Sequence, residues 1–285
     1  TFEQVEYMAF PRGSALAEIG WSAKNDKNFT DFTERLMHHY KRFDALNINA
    51  ANHFYEIKSS IQPIGGGTEV ILETLAGDVD IHYTTDGSAP TQNSPKYESP
   101  IVVQSNMEIK AEVFVDGEKK GRGWSQSFNM HKAAGKTITL TNSPHPKYAG
   151  GGNGSIINGV LGSNERYGDA EWLGFNGENF EAMISFSGPV DISKVAFRFF
   201  NGEGQWIYLP KKVSIHYSTN GRSYKVIAEH TVEKTDGKVV TVPVVFDEIK
   251  VNFIKISVEN FGKIPEGKQG AGNRAWLFVD EIIVE

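Results

Sequence analysis

"YLPKKVSIHYSTNGRSYKVI" (residues 208–227) is the stretch on which the fold class turns. Val213, Ile215 and Tyr217 alternate with polar neighbours, so an extended strand here presents one apolar face. The run then meets Asn220-Gly221, a dipeptide that tolerates the positive φ angles of a tight hairpin turn. Strand, short turn and returning strand predict an antiparallel pair. The same texture extends downstream. Ile254, Ile256 and Val258 alternate with Lys255, Ser257 and Glu259, and "WLFVDEIIVE" (276–285) reads as a closing strand. No helix-period window competes across 135–285, which predicts a β-sandwich or jelly roll.

Upstream, residues 57–134 carry period-two alternation on a smaller scale. Val79, Ile81 and Tyr83 lead to Asp86-Gly87, and Ile109, Ala111, Val113 and Val115 lead to Asp116-Gly117. A small β-sandwich is expected. "IHYTTDG" (81–87) and "IHYSTNG" (215–221) resemble a repeat, but their flanks differ, so turn chemistry explains the likeness. "HKAAGK" (131–136) reads as a linker. Residues 1–56 are helical in pattern: Phe29, Phe32, Leu36, Met37, Tyr40 and Phe43 form one apolar face. Asn28 is placed to cap that helix with Asp31 as a capping-box acid, and the helix should stop at Asn47–Asn49. Pro11 marks a kink or first turn before it.

With 285 residues the chain can build two or three domains, each with its own core. A formal charge of −6 provides no field to recruit nucleic acid or anionic lipid. No apolar run approaches the roughly 18–20 residues that cross a bilayer. There are 0 cysteines, which excludes a disulfide-stapled scaffold and any thiolate metal site. The chain starts at Thr1 without Met or a leader peptide, so it is expected to be part of a longer polypeptide.

Each texture resembles a known family. "MAFPRGSALAEIGWS" (8–22) and "FTERLMHHYKRFDALNINAANHFYE" (32–56) resemble the end of the catalytic (β/α)8 barrel of family 20 glycoside hydrolases, the β-N-acetylhexosaminidases. Pro11, Arg12, Ala17, Glu18, Trp21 and Ser22 carry that match over about residues 2–56. Residues 78–128, with "VDIHYTTDGSAPTQNSPKYESPI", resemble the small immunoglobulin-like domain that follows this barrel in chitobiases. Residues 137–285, with "IINGVLG", "WLGF" and "AWLFVDEIIV", resemble a discoidin (coagulation factor 5/8 type C) domain, the fold of family 32 carbohydrate-binding modules.

Together these imply a mainly β chain. Terminal barrel helices (1–56) precede an immunoglobulin-like spacer (57–134) and a discoidin-type carbohydrate-binding domain (135–285). They further imply a periplasmic, surface or secreted bacterial β-N-acetylhexosaminidase as parent. Its partners would be glycans of N-acetylhexosamine or galactose type and the missing barrel, with no nucleic acid and no membrane insertion. Two alternatives stand beside it: a discoidin domain acting as a structural or dimerisation cap, and a surface adhesin.

Catalysis is not expected within this chain. The family's substrate-assisted chemistry uses an Asp-Glu pair after a His-x-Gly-Gly run. Of the Asp-Glu pairs here, Asp247-Glu248 falls between two strands and Asp280-Glu281 inside the last, neither after such a run. Neighbours along a strand also face opposite ways, which keeps such a pair from converging. Trp21 is expected to pack in the barrel's outer ring, and Arg12 and Glu18 to form an ion pair. His38-His39 lies on a helix without partner spacing for zinc, and "YAGGGNGS" lacks the ending of a phosphate loop.

Sugar recognition needs an exposed aromatic face flanked by hydrogen-bonding side chains. The loop aromatics and their neighbours are Trp206 and Tyr208, then Asn273, Arg274 and Trp276, and His145 with Tyr148. Trp172 reads as core. The discoidin resemblance also implies a structural calcium at Asn158, Ser163 and Glu281, with carbonyls from Ser155, Val160 and Asp280. Asn158 stands where the pattern has Asp, one charge fewer.

Overall fold

A computed structural model describes residues 1–77 and 79–285, so Asp78, at the edge of the 78–128 resemblance, lies outside the described residues. Helices α1 (Phe2–Ala9), α2 (Arg12–Trp21) and α3 (Phe29–Ala45) open the chain. Strands β1 (Ile57–Ile64), β2 (Gly67–Thr74), β3 (Asp80–Thr84), β4 (Ile101–Val103), β5 (Met107–Val115) and β6 (Glu118–Phe128) follow. The remainder is β7 (Thr137–Leu140), β8 (Leu173–Asn176), β9 (Phe180–Phe200), β10 (Lys212–Ser218), β11 (Lys225–Thr231), β12 (Val239–Glu259) and β13 (Trp276–Val284). The chain is mainly β. It divides into two compact units: Thr1–Ser59 with Ile71–Pro100 and Glu108–Gln126, and Ser60–Val70 with Ile101–Met107 and Ser127–Glu285.

In the first unit α3 has the expected cap. The Asn28 side chain accepts from the amides of Thr30 and Asp31 at 3.0 and 3.2 Å. Asp31 does not reach back as a capping-box acid; its carboxylate holds Arg35 one turn on. The helix ends at Ala45, short of Asn47–Asn49. Leu36, Tyr40 and Phe43 bury its apolar face, and Tyr40 stacks on Phe54 and donates to the Ala51 carbonyl at 2.6 Å. The expected Arg12–Glu18 pair does not form. Glu18 accepts two bonds from Arg35 at 2.9 Å, a planar fork matching a carboxylate, while Arg12 turns back to the carbonyls of Tyr7 and Met8. Trp21 is 95% exposed, so it is not buried by the described residues.

The turn dipeptides behave differently from one another. Asp116 (φ 50°) and Gly117 (φ 83°) both adopt positive φ and join β5 to β6 as a hairpin in the sheet β3-β5-β6. Asp86-Gly87 does not form a hairpin. The Asp86 carboxylate accepts from the Ser88 amide and hydroxyl at 3.0 and 2.6 Å, an Asx-type turn that redirects the chain. β3 therefore pairs with β5, not with the strand that follows it.

The second unit is organised by two strands of 21 residues each, β9 and β12. They pair along most of their length, with register breaks at Val245/Ile249 and Val251/Phe253. On one side of the breaks, Phe180–Ser185 and Phe253–Val258 continue outward to β7 and to β10 and β11. On the other, Val195–Phe200 continues to β13 and then β8. Bulged strands that pass from one layer to the next make a two-layer sandwich around a shared core. That core includes Phe180, Ile184, Phe197, Ile215, Ile256, Val279 and Ile282. Asp247-Glu248, expected between two strands, sits instead in the break of the continuous β12. "HKAAGK" is not a linker: Ala133 and Ala134 are buried and the Lys132 amide donates to the Val284 carbonyl at 2.9 Å. Small apolar residues allowed this segment to be closed under the sandwich.

Leu36→Ala is expected to lower the unfolding free energy by about 2–5 kcal/mol. Trp21→Ala should change it by less than about 0.5 kcal/mol. Urea denaturation of both variants checks the contrast.

Candidate functional site

The residues nominated for sugar binding collect at one end of the second unit's sandwich, in two separate side-chain groups. In the first, Trp276 opens β13 and is half-buried, while His145 is exposed. Their rings meet edge-on with centroids 5.2 Å apart, and Tyr148 meets Trp276 at 5.3 Å. Beneath them Tyr148 packs on Phe278 and Tyr167, and Trp172 and Phe200 complete a small aromatic core on the outer side of β9 and β13. Gly174 lies directly under Tyr148 and Phe278, where a Cβ would come within 2.8 Å of the Phe278 ring and 2.9 Å of the Tyr148 Cβ. Arg274 is exposed and lies across Gly177. The result is an aromatic cluster on which the Lys147 ammonium lies 5.2 Å from the Tyr148 ring centroid. Trp172, nominated as core, is fully buried, and its indole N–H donates to the Ser163 carbonyl at 3.2 Å.

The second group gathers around Tyr208. Backbone bonds between Gly202 and Ile207 close a tight loop that holds Trp206 at φ 67°, a left-handed conformation uncommon for a bulky residue. Trp206 rests against Gly270, where any Cβ would collide with the indole at 2.4 Å, and Asn273 ties that loop through the Gly270 carbonyl at 3.0 Å. Tyr208 was nominated as an exposed loop aromatic, and the structure corrects this. It is 4% exposed, because its ring stacks on Phe261 at 4.6 Å and its amide donates to the Trp276 carbonyl. Trp206 and Trp276 are joined through backbone, since the Trp276 amide donates to the Trp206 carbonyl at 2.8 Å, yet their rings belong to different groups.

The carboxylates of Asp280 and Glu281 lie at the other notable place. The β13–β9 register shifts between Val279 and Ile282, a bulge that puts both acids on the same side of the strand. Simple strand alternation, which separates neighbours, fails here. Both are fully buried, and both accept amides of one loop: Gly162 to Asp280 at 2.8 Å and Gly159 to Glu281 at 3.0 Å. Arg198 pairs with Asp280 at 2.5 Å and also donates to the Asn164 side chain at 2.7 Å. His131 approaches the other oxygen set, with Nε2 2.7 Å from Glu281 Oε1. Its Nδ1 accepts the Ala133 amide at 3.3 Å, which leaves Nε2 to donate. Burial pushes His131 down to about 4 and holds Glu281 well above the usual carboxylate range. Burial also raises Asp280 to about 7, against the opposing pull of Arg198.

Neither Arg198 nor His131 was nominated from sequence. Arg198 had a signal, a lone charge inside the apolar run "VAFRFF", which demands a buried counter-charge. His131 was hidden in a segment read as linker.

Of the residues nominated for calcium, the fold sets the loop of Asn158 against Glu281 of β13, whose carboxylate accepts the Gly159 amide. Glu281 Oε2 is buried without a hydrogen-bond partner among the described residues, a feature that fits a hard cation. Asn158 Oδ1 accepts the Val160 amide at 2.9 Å and keeps a lone pair. The Ser163 hydroxyl instead accepts the Glu165 amide, and the Asp280 side chain is held by Arg198. No cluster of three or more His, Asp or Glu side chains suited to a metal occurs among the described residues, so any calcium here would depend on amide and carbonyl oxygens beside Glu281.

Residues 70–128 match the family described as Fn3 associated. A beta-hexosaminidase of Porphyromonas gingivalis (strain ATCC BAA-308 / W83) is 31% identical over 143 residues, 46% of this chain and 18% of that protein. The chain therefore spans under a fifth of that relative's length. Among solved structures, a chitosan-binding module of a chitosanase/glucanase from Paenibacillus sp. IK-5 is similar at 10% identity and TM-score 0.37, covering 54% of this chain and 98% of that one. A family 32 module from Clostridium perfringens NanJ, in complex with galactose, is similar at 18% identity and TM-score 0.35, covering 52% and 91%. No helix among the described residues is long and apolar enough to cross a membrane.

Arg198→Met leaves a buried carboxylate unpaired and should cost about 3–5 kcal/mol. Adding Asp280→Asn, which keeps an acceptor for Gly162 and removes the charge, should recover part of that loss. A double-mutant cycle in urea checks it; equal additive losses would show that the pair is not coupled.

Proposed function

We propose that this chain is a non-catalytic, glycan-binding accessory part of a larger secreted β-N-acetylhexosaminidase. The observation that carries the reading is the cluster of Trp276, Tyr148 and His145, with Lys147 over the Tyr148 ring, on loops of a two-layer β-sandwich. An aromatic face beside hydrogen-bonding groups is what the C–H face and hydroxyls of a sugar require. The stretch of likeness to a beta-hexosaminidase supports the enzymatic parent. Its activity would be the release of terminal N-acetylhexosamine by a barrel preceding this segment. In this reading the organisation is 1–56 as the last barrel helices, 57–134 as an immunoglobulin-like spacer and 135–285 as the carbohydrate-binding module.

The first helices support it further. Phe2, Val5, Met8, Leu16, Ile19 and Trp21 are all more than half exposed, an apolar face that a larger body would cover. Calcium at Glu281 belongs to the same proposal, with Asn158 and the carbonyls of Ser155 and Val160 as companions. When bound, the ion would supply the positive charge that the buried Glu281 carboxylate lacks, and its role would be structural.

Calorimetric titration of the chain with N-acetylhexosamine- and galactose-containing oligosaccharides should give saturable binding that Trp276→Ala weakens about tenfold or more. The absence of binding to every glycan tried would favour the structural-cap alternative. Millimolar calcium should raise the thermal midpoint of the native chain and leave Glu281→Gln unmoved, read by differential scanning calorimetry. An equal response from both would remove Glu281 as a ligand.

A further inference from the structure

Strand β12 pairs with β10 only from Phe253 to Glu259, whereas its first part, Val239–Val245, pairs with β9 alone. That part is an open edge of the second layer. Which of its backbone groups face out follows from the neighbouring bonds. Lys194 of β9 exchanges both backbone bonds with Glu285, so Lys194, Ala196 and Arg198 turn their backbone groups toward β13. Val195, Phe197 and Phe199 therefore bond β12, through their partners Val244, Val242 and Val240. The amides and carbonyls of Val239, Thr241 and Val245, with the Pro243 carbonyl, point away from the sheet, where no strand pairs with them among the described residues. Thr241, Pro243 and Val245 are exposed as well, Val245 by 73%.

An unpaired edge templates the addition of another strand, and proteins close theirs with charge, bulges or proline. Edge strand β11 uses the first two: it carries Lys225 and Glu229, and its register shifts at Ile215/His216. Val239–Val245 has neither. The run is uncharged, rich in valine and unbroken in register, the kind that pairs with its like. Its one interruption is Pro243, whose ring stands where an outward N–H would be.

We infer that Val239–Val245 is a strand-pairing surface for a second copy of this chain, and that Pro243 alone keeps it closed. The run matches itself when reversed about Val242. Val239 then faces the copy's Val245, Val240 its Val244 and Thr241 its Pro243. In this antiparallel register every outward group meets an outward group. The Thr241 amide can donate to the copy's Pro243 carbonyl, but the Thr241 carbonyl meets a ring where it needs an N–H. Symmetry makes this happen twice, and unpaired carbonyls at the centre of so short a ladder offset the bonds at its ends. Within one chain the proline removes no bond, because the missing N–H has no partner on that side.

The test is sedimentation velocity of the whole chain over a dilution series, with hydrogen exchange at the Thr241 and Val245 amides as the local readout. In the native chain both amides should exchange freely at every concentration. Pro243→Thr restores the N–H and should self-associate at least about tenfold more tightly than the native chain, the return of two hydrogen bonds. Its mass should rise toward twice that of one chain, and both amides should become protected as it does. Pro243→Ala should behave alike and serves if the threonine variant does not fold, which thermal melting decides. Adding Val245→Lys to Pro243→Thr places a charge on the edge and should return the chain to a monomer. Folded Pro243→Thr and Pro243→Ala chains that stay monomeric overturn the inference. So does association that survives Val245→Lys or leaves the two amides exchanging freely, since the contact then lies elsewhere. Concentration-dependent protection of those amides in the native chain overturns it too, because Pro243 would not be closing the edge. The glycan-binding reading is untouched by any of these results.

Discussion

The pairing of β9 with β12 is the constraint on which the second unit depends. Each strand runs for 21 residues and serves both layers of the sandwich, so neither layer can shift without the other. The pairing can bend only where its register breaks, and those breaks fall at Val245/Ile249 and Val251/Phe253. On one side Phe180, Ile184 and Ile256 point inward; on the other Phe197, Phe199 and Val279 do. Because side chains alternate, Val195, Phe197 and Phe199 face the shared core while Arg198 and Phe200 face outward, and loops must cover them. That second, outer core of Trp172, Phe200, Ile207 and Phe278 is the floor on which the aromatic cluster stands. The candidate site thus inherits its position from the parity of β9 and β13.

A related consequence is the burial of charge. The bulge in β13 turns Asp280 and Glu281 to one side, under the loop that carries Gly159 and Gly162. Two adjacent carboxylates in a closed interior repel each other and lose hydration, so the fold supplies Arg198, the loop amides and the His131 imidazole. These contacts join the start of the unit to its last strand: His131 also accepts the Val284 amide at 3.4 Å. The cluster ties the segment that follows β6 to the last strand.

Much of this was legible from residues. Asn28 as a cap, the hairpins at Asn220-Gly221 and Asp116-Gly117, and the inward set Ile254, Ile256 and Val258 are local facts, dictated by hydrogen bonding and period. Asp86-Gly87 was misleading because the same dipeptide serves a hairpin or an Asx turn, and the choice lay with Ser88. Tyr208 was misread since only the approach of Phe261, far along the chain, removes it from solvent. Arg12 and Glu18 are near in sequence and of opposite sign, yet Arg35 from another helix offers Glu18 a bidentate geometry that Arg12 does not reach.

The amino-acid sequence by itself determined the element types, the β class, the turn positions and the list of aromatic and acidic side chains available for function. Tertiary structure alone decided which of them meet. Trp276, Tyr148 and His145 come together, Trp206 and Tyr208 form a separate group, and the acids of β13 are sealed beneath a loop 122 positions away in the case of Glu281 and Gly159. The physical reason is range. Propensity, capping and alternation act over a few residues, whereas burial and charge pairing are settled only when distant strands close on one core.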